Sequence, residues 1–222
     1  MFVSRRQFVQ GGAVAGATTL LGISPAFAAA LDAAASPASY SRPQTRVMVD
    51  PVIDARLLAR ARASFERHRS SIRDVDVVGI ADFSKVSALP RFYLMDTNTG
   101  RVTSHLVSHG RGSDPSHSGF LHHFSNAVGS NASSAGAYVT GDFYHGRYGR
   151  SMRVAGLDPS NSNAETRAIV VHSAWYAEPH QVAEHGLLGR SEGCFAMSYS
   201  SLQETLARLG PGRFLYADKV PV

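Results

Sequence analysis

A single cysteine, Cys194, stands in this chain of 222 residues, so no internal disulfide can form. Lysine is almost missing too: 20 of the 22 cationic side chains are arginines. The body of the chain holds no apolar run long enough to cross a bilayer, which argues against an integral membrane protein. It holds no dense Lys/Arg stretch interleaved with aromatics, the usual footprint of nucleic-acid binding. There is no His-Glu-x-x-His or comparable chelating pair and no internal repeat. What is present is ordinary for a globular domain with a core: 44% hydrophobic and 18% charged residues.

The N-terminus reads as an address. Ser4-Arg5-Arg6-Gln7-Phe8-Val9 sets two arginines before a mildly apolar stretch, Gly11 to Ile23. Ala26-Phe27-Ala28 then offers small residues to a signal peptidase. The pattern resembles a twin-arginine export signal over 1–28, which implies the periplasm or cell envelope. Cleavage after Ala28 removes two arginines and no acid, so the formal charge falls from +5 to +3 (20 minus 17). Exported proteins mostly use cysteines in pairs, so a lone one is a candidate reactive thiol.

Residues 29–49, rich in Ala, Ser and Pro, read as a flexible linker, and 50–222 as a single catalytic domain. Asp50-Pro51 suits a helix start, and Ile53, Leu57, Ala61 and Phe65 form one stripe on a helix to about Arg69. The period then shifts to strand from Val75 to Phe83. A hairpin follows, Arg91–Met95 and Val102–Ser108 around the turn 96–100. Residues 110–136 read as a long functional loop. Ala137–Thr140 and Ser151–Val154 read as short strands separated by a glycine- and aromatic-rich lid or groove wall. Ser201-Leu202-Gln203-Glu204 is a capping-box pattern opening a helix, and Arg213–Ala217 a closing strand. The sum is mainly β with flanking helices.

The chemistry concentrates in residues 167–198. The β-branched run Ile169-Val170-Val171 delivers His172, and Ser191-Glu192-Gly193 leads to Cys194, 22 positions later (194 − 172). A thiol needs a base close in space. An imidazole beside it can make a thiolate–imidazolium pair, and Gly193 lets the backbone turn so that amides face a developing oxyanion.

These residues resemble the murein L,D-transpeptidase catalytic domain family. Its pattern is a histidine, an intervening stretch, then Ser/Thr-x-Gly-Cys. The likeness extends to 107–113, Phe124-Ser125-Asn126, 136–141 and 169–172, and covers roughly 75–220. The resemblance implies a β-sandwich of mixed sheets with the N-terminal helix packed on the catalytic domain. It implies Cys194 as nucleophile, His172 as base and the Ser173 carbonyl as the group orienting the imidazole. It also implies Gly193 and Cys194 amides at the oxyanion, with Ser191 bracing the loop. The substrate would be peptidoglycan stem peptides. The acceptor would be an amine giving a 3→3 cross-link, water, or an envelope lipoprotein. No cofactor and no metal are implied.

Two departures from the pattern stand out: Glu192 where relatives carry His, and Phe195 where Pro or a small residue is expected. Glu192 should face solvent or an arginine, since a carboxylate beside the thiolate raises its pKa. His109, Tyr144, His145 and Trp175 are candidate groove residues, with a core anchor the safer reading for Trp175. His180 and His185 fall in a polar loop. Three readings stay open beside transpeptidation: an L,D-carboxypeptidase, a metal-dependent wall hydrolase built on the central histidines, and a non-catalytic peptidoglycan-binding module. Oligomeric state is open.

Overall fold

The computed structural model describes residues 53–221. The expected signal peptide, its linker and the proposed helix start at Asp50-Pro51 lie outside them. The first helix, α1, is Ala55–Arg67, and its cap is Asp54, whose carboxylate accepts from the Arg56 and Leu57 amides. Ile53, just before the cap, and Leu58, inside the first turn, join the same apolar cluster. This is the staple that sets where the chain turns into a helix.

Eight strands follow: β1 Val77–Asp82, β2 Phe92–Asp96, β3 Val102–His105, β4 Gly136–Gly146, β5 Gly149–Gly156, β6 Val170–Ser173, β7 Phe195–Met197 and β8 Phe214–Asp218. Two more helices are α2 Pro179–His185 and α3 Tyr199–Arg208. All eight strands belong to one mixed sheet, in the order β3-β2-β1-β8-β4-β5-β6-β7. The expected layers are therefore halves of one sheet curled on itself. At the β1–β2 end, Phe83 stacks on Phe195 of β7 at 6.3 Å and Phe92 meets it edge-on at 6.4 Å. A bridge from Ser108 to Ala196 links the chain after β3 to the far edge strand.

Strand alternation sorts the side chains into two cores. Val78, Ile80, Tyr93, Phe214 and Tyr216 face α1, whose Leu57 and Ala61 complete that layer. Val77, Phe92, Leu94, Met152, Val171, Phe195 and Met197 face inward with Leu202 and Leu206 of α3. A cavity of about 620 Å³ opens under α1, lined by Leu58, Phe65, Val78, Ile80 and Met95.

Several local expectations change. The segment 141–149 does not separate two short strands: β4 and β5 form one long hairpin, with a bulge between Thr140 and Phe143. The polar loop after His172 contains α2, with Pro179 opening it and Gly186 (φ 76°) ending it. Helix α3 begins three residues before the capping-box pattern suggested. Ser198 is its cap, through a 3.2 Å bond from the Ser201 amide. The last strand, β8, lies inside the sheet between β1 and β4.

Candidate active site

Two short parallel strands place the central pair. On β6 and β7, Val171 pairs with Phe195 and His172 with Ala196. Val171 and Phe195 enter the inner core, so His172, Ala196 and Cys194 face the opposite side of the sheet. Cys194 sits two residues back along the neighbouring strand direction. Ideal sheet spacing then separates the Cα atoms of Cys194 and His172 by about 8 Å. The backbone alone thus puts thiol and imidazole on one face within side-chain reach.

The imidazole is tightly held. His172 is 2% exposed, and its Nδ1–H donates to the Ser173 carbonyl at 2.9 Å. That bond selects the tautomer and leaves Nε2 with its lone pair, able to take a proton. Tyr148, at the tip of the β4–β5 hairpin, stacks on the ring at 4.2 Å and 21°. Burial, aided by the charge of Arg147, pushes the His172 pKa down, against the pull of the Ser173 carbonyl. His172 is therefore neutral near pH 7.

The thiol is shifted the other way. Cys194 is half-buried, and desolvation raises its pKa. Glu192 adds to the rise, while the Val170 amide and the Arg167 guanidinium oppose it. Its Sγ donates to the Ala168 carbonyl at 3.6 Å, and Ala168 itself sits at φ 51°, a conformation that costs a non-glycine residue of order 1–3 kcal/mol. The resting pair is thus thiol and neutral imidazole, not the thiolate–imidazolium expected from residue types. Strain at Ala168 aims a carbonyl at the sulfur.

A pH test follows from these directions. Alkylation of Cys194 by iodoacetamide should be slow at pH 7 and still rising above the ordinary thiol pKa of about 8.5. The acid limb of kcat/KM should fall below pH 6.5 as His172 gains a proton and ceases to be a base. An alkylation midpoint below pH 7 would establish an ion pair instead.

The loop before Cys194 is braced from two sides. Ser191 Oγ donates to the Cys194 carbonyl at 2.7 Å and accepts from the Gly193 amide at 3.1 Å. The Ser191 backbone is clamped between the His109 carbonyl and the Arg111 amide, at 2.9 and 2.7 Å. The Gly193 amide is therefore occupied inside the turn. Gly193 has φ 115°, and a Cβ there would stand 2.7 Å from the Ala132 carbonyl oxygen and 3.0 Å from Arg167 Nη2. Only glycine fits.

The two departures find places. Glu192 is exposed and pairs with Arg111 at 3.1 Å, turned toward an arginine. Phe195 is 2% exposed and meets Phe83, Phe92 and Tyr138, anchoring the strand that begins just after Cys194.

The groove candidates separate. Tyr144 pairs with Ser151 and shares the His172 face. His145 pairs with Arg150 on the other face of the hairpin. His109 lines no groove: it is 1% exposed, bonded to Arg91 at 2.7 Å and to Asp114 at 3.3 Å. Burial, then the Arg91 charge, depresses its pKa to about 3. Trp175 is 73% exposed, no core anchor, because the short helical turn carrying it leaves the sheet just after His172. Among the described residues, no three His, Cys, Asp or Glu side chains gather as a metal site, and no helix is long and apolar enough to cross a membrane.

Sequence reasoning missed Arg167. Arg167 donates to the Ser125 carbonyl (2.8 Å), Ser134 Oγ (2.5 Å) and the Ala132 carbonyl, tying the 125–134 loop beneath the Ser191–Cys194 turn. An arginine just before a buried strand was the available signal. Tyr148 lay within the glycine- and aromatic-rich segment read as a lid or groove wall, but that it stacks on His172 depends on how far the hairpin projects.

No curated protein matches the sequence. An L,D-transpeptidase from Mycobacterium smegmatis shares 16% identity at TM-score 0.39, over 64% of this chain and 58% of that one. One from Mycobacterium tuberculosis shares 16% at 0.41, over 64% and 57%. The helical cell shape determining protein Pgp2 of Campylobacter jejuni (K307A mutant) shares 13% at 0.41, over 68% and 49%. The chain thus spans less than two thirds of the length of these structures, and likenesses this distant carry no functional weight. The sequence itself is more specific. A twin-arginine translocation signal matches residues 3–22, marking the chain for export. The L,D-transpeptidase catalytic domain model matches residues 50–217, most of the chain, and the protein belongs to that family.

Proposed function

We propose that the protein is a peptidoglycan L,D-transpeptidase whose nucleophile is Cys194 and whose base is His172. The observation that carries this is the parallel β6–β7 register. It sets both side chains on one sheet face while the Ser173 carbonyl holds the imidazole with Nε2 free. Residues 1–28 would be removed on export, 29–49 would be a linker, and 50–222 would form the catalytic domain.

In the first half-reaction Nε2 takes the thiol proton as Sγ attacks the carbonyl of the third residue of a stem tetrapeptide. The Cys194 amide stabilises the oxyanion. The C–N bond to the terminal D-alanine breaks, and the imidazolium gives its proton to the leaving amine. In the second half, His172 removes a proton from the acceptor amine of a neighbouring stem. That amine attacks the thioester and Cys194 leaves as the thiol. General-base transfer between a neutral thiol and a neutral imidazole suits the opposed pKa shifts of the pair.

Purified muropeptides test the acceptor. With tetrapeptide donors at high concentration the expected products are 3→3 dimers together with free D-alanine. Tripeptides alone would make water the acceptor and the protein an L,D-carboxypeptidase. Turnover that a chelator abolishes would replace the cysteine mechanism by metal-dependent hydrolysis.

A further inference from the structure

The face that carries Cys194 and His172 also carries a charged side chain, Arg153, that has no ion-pair partner among the described residues. On β5 and β6, Met152 pairs with Val171 and Arg153 with Val170. Val170 in turn stands beside Cys194, one step before the Val171–Phe195 pair. Met152, Val171 and Phe195 enter the inner core, so Arg153, Val170 and Cys194 form a row on the opposite face. Two strand spacings separate Arg153 from the nucleophile, about 10 Å between Cα atoms.

Arg153 is exposed. Among the described residues its side chain makes no ion pair and no hydrogen bond. Arg60, Arg111, Arg208 and Arg213, by contrast, all have carboxylate partners. The Arg153 guanidinium lies over the Tyr144 ring, 4.6 Å from its centroid. A ring face fixes the group's position without neutralising its charge. The β4 bulge lies beside it: a Cβ on Gly141 would come within 3.3 Å of the Arg153 Cβ, and bulges beside active sites re-aim side chains.

We infer that Arg153, laid on Tyr144, binds a carboxylate of the donor stem peptide and thereby sets how that peptide lies across the sheet. This rests on the reading of the site as an L,D-transpeptidase. The planar guanidinium presents two parallel donors that match a carboxylate. A stem peptide offers two such groups on the order of 8 Å from the attacked carbonyl along an extended chain. One is the α-carboxylate of the γ-linked glutamate that precedes the diamino acid. The other is the side-chain carboxylate of the diamino acid itself.

The test uses the mature chain and three synthetic tetrapeptide donors: both carboxylates free, the glutamate carboxylate amidated, or the diamino-acid carboxylate amidated. D-Alanine release is followed for wild type, Arg153→Gln and Arg153→Lys. Equal iodoacetamide alkylation rates of Cys194 across the three proteins show that the nucleophile is intact. Wild type should lose about 10-fold or more in kcat/KM, mostly through KM, with one of the amidated donors, a size typical of a charge-assisted hydrogen-bonded pair. Which donor it is identifies the carboxylate. Arg153→Gln should lose a similar factor on the free donor and no longer distinguish the donors, with Arg153→Lys between. Equal wild-type rates on all donors, or discrimination that survives in Arg153→Gln, would overturn the inference while leaving transpeptidation standing. No D-alanine from any donor, with no imipenem adduct on wild type, would overturn the functional reading and this inference with it.

Discussion

Cys194→Ala is expected to abolish D-alanine release, with a loss of at least about 10⁴-fold, the scale on which removing a covalent nucleophile disables an acyl-transfer enzyme. The structure separates that loss from misfolding. Cys194 is half-buried, and its sulfur makes one weak bond, to the Ala168 carbonyl at 3.6 Å. Phe195 next to it, not the cysteine, anchors the strand. Stability should therefore change by less than about 1 kcal/mol, read as an unchanged urea midpoint. Intact mass after imipenem gives a second readout. Wild type should gain one covalent adduct and Cys194→Ala none. Turnover at more than a few percent of wild type in a folded Cys194→Ala protein would end the cysteine mechanism.

The second large effect is on stability. Arg91→Met should destabilise the domain by about 3–5 kcal/mol, the usual cost of removing one member of a buried charged network, against a total of about 5–15 kcal/mol. Arg91 is 0% exposed. It bonds the Val107 carbonyl twice, at 3.0 and 2.9 Å, the Lys85 carbonyl at 2.7 Å and His109 Nδ1 at 2.7 Å. Burial lowers its own pKa to about 9, against the pull of Asp82 and Asp114. Methionine fills much of the volume but leaves those acceptors bare and the two carboxylates without their cation. Activity should fall as well. Val107 and His109 belong to the segment that clamps Ser191 and bonds β7, where the Ser108 amide donates to the Ala196 carbonyl at 2.7 Å. A urea titration with parallel D-alanine assays measures both. A shift under about 1 kcal/mol would show that the network does not hold the loop.

The helix stripe of Ile53, Leu57, Ala61 and Phe65 was legible because a 3.6-residue period needs no partner to be recognised. The exact cap was not, because two aspartates, Asp50 and Asp54, both suit the position and Ile53 packing with Leu58 decides between them. The β4–β5 hairpin read as two fragments because its outer half projects with mixed exposure and lacks a clean alternation. Strand β7 went unread: three residues are too few for a period, and Phe195 looked like a departure from a motif. In three dimensions it is the aromatic plug of the inner core.

The residue types and their spacing by themselves singled out a histidine at a strand end and a lone cysteine after a glycine turn as the candidate pair, because such chemistry is carried by few side chains. The export signal and the mainly β body were legible for the same local reason. Their protonation was decided mostly by the tertiary structure, since desolvation and the charges of Arg147 beside His172 and Arg167 beside Cys194 come from segments distant in sequence. So were the occupied Gly193 amide, the stacking of Tyr148 on His172 and the guanidinium of Arg153 laid on Tyr144. Each depends on which strands lie side by side, and the sheet order, with β8 between β1 and β4, is set by long-range packing that no short stretch of sequence encodes.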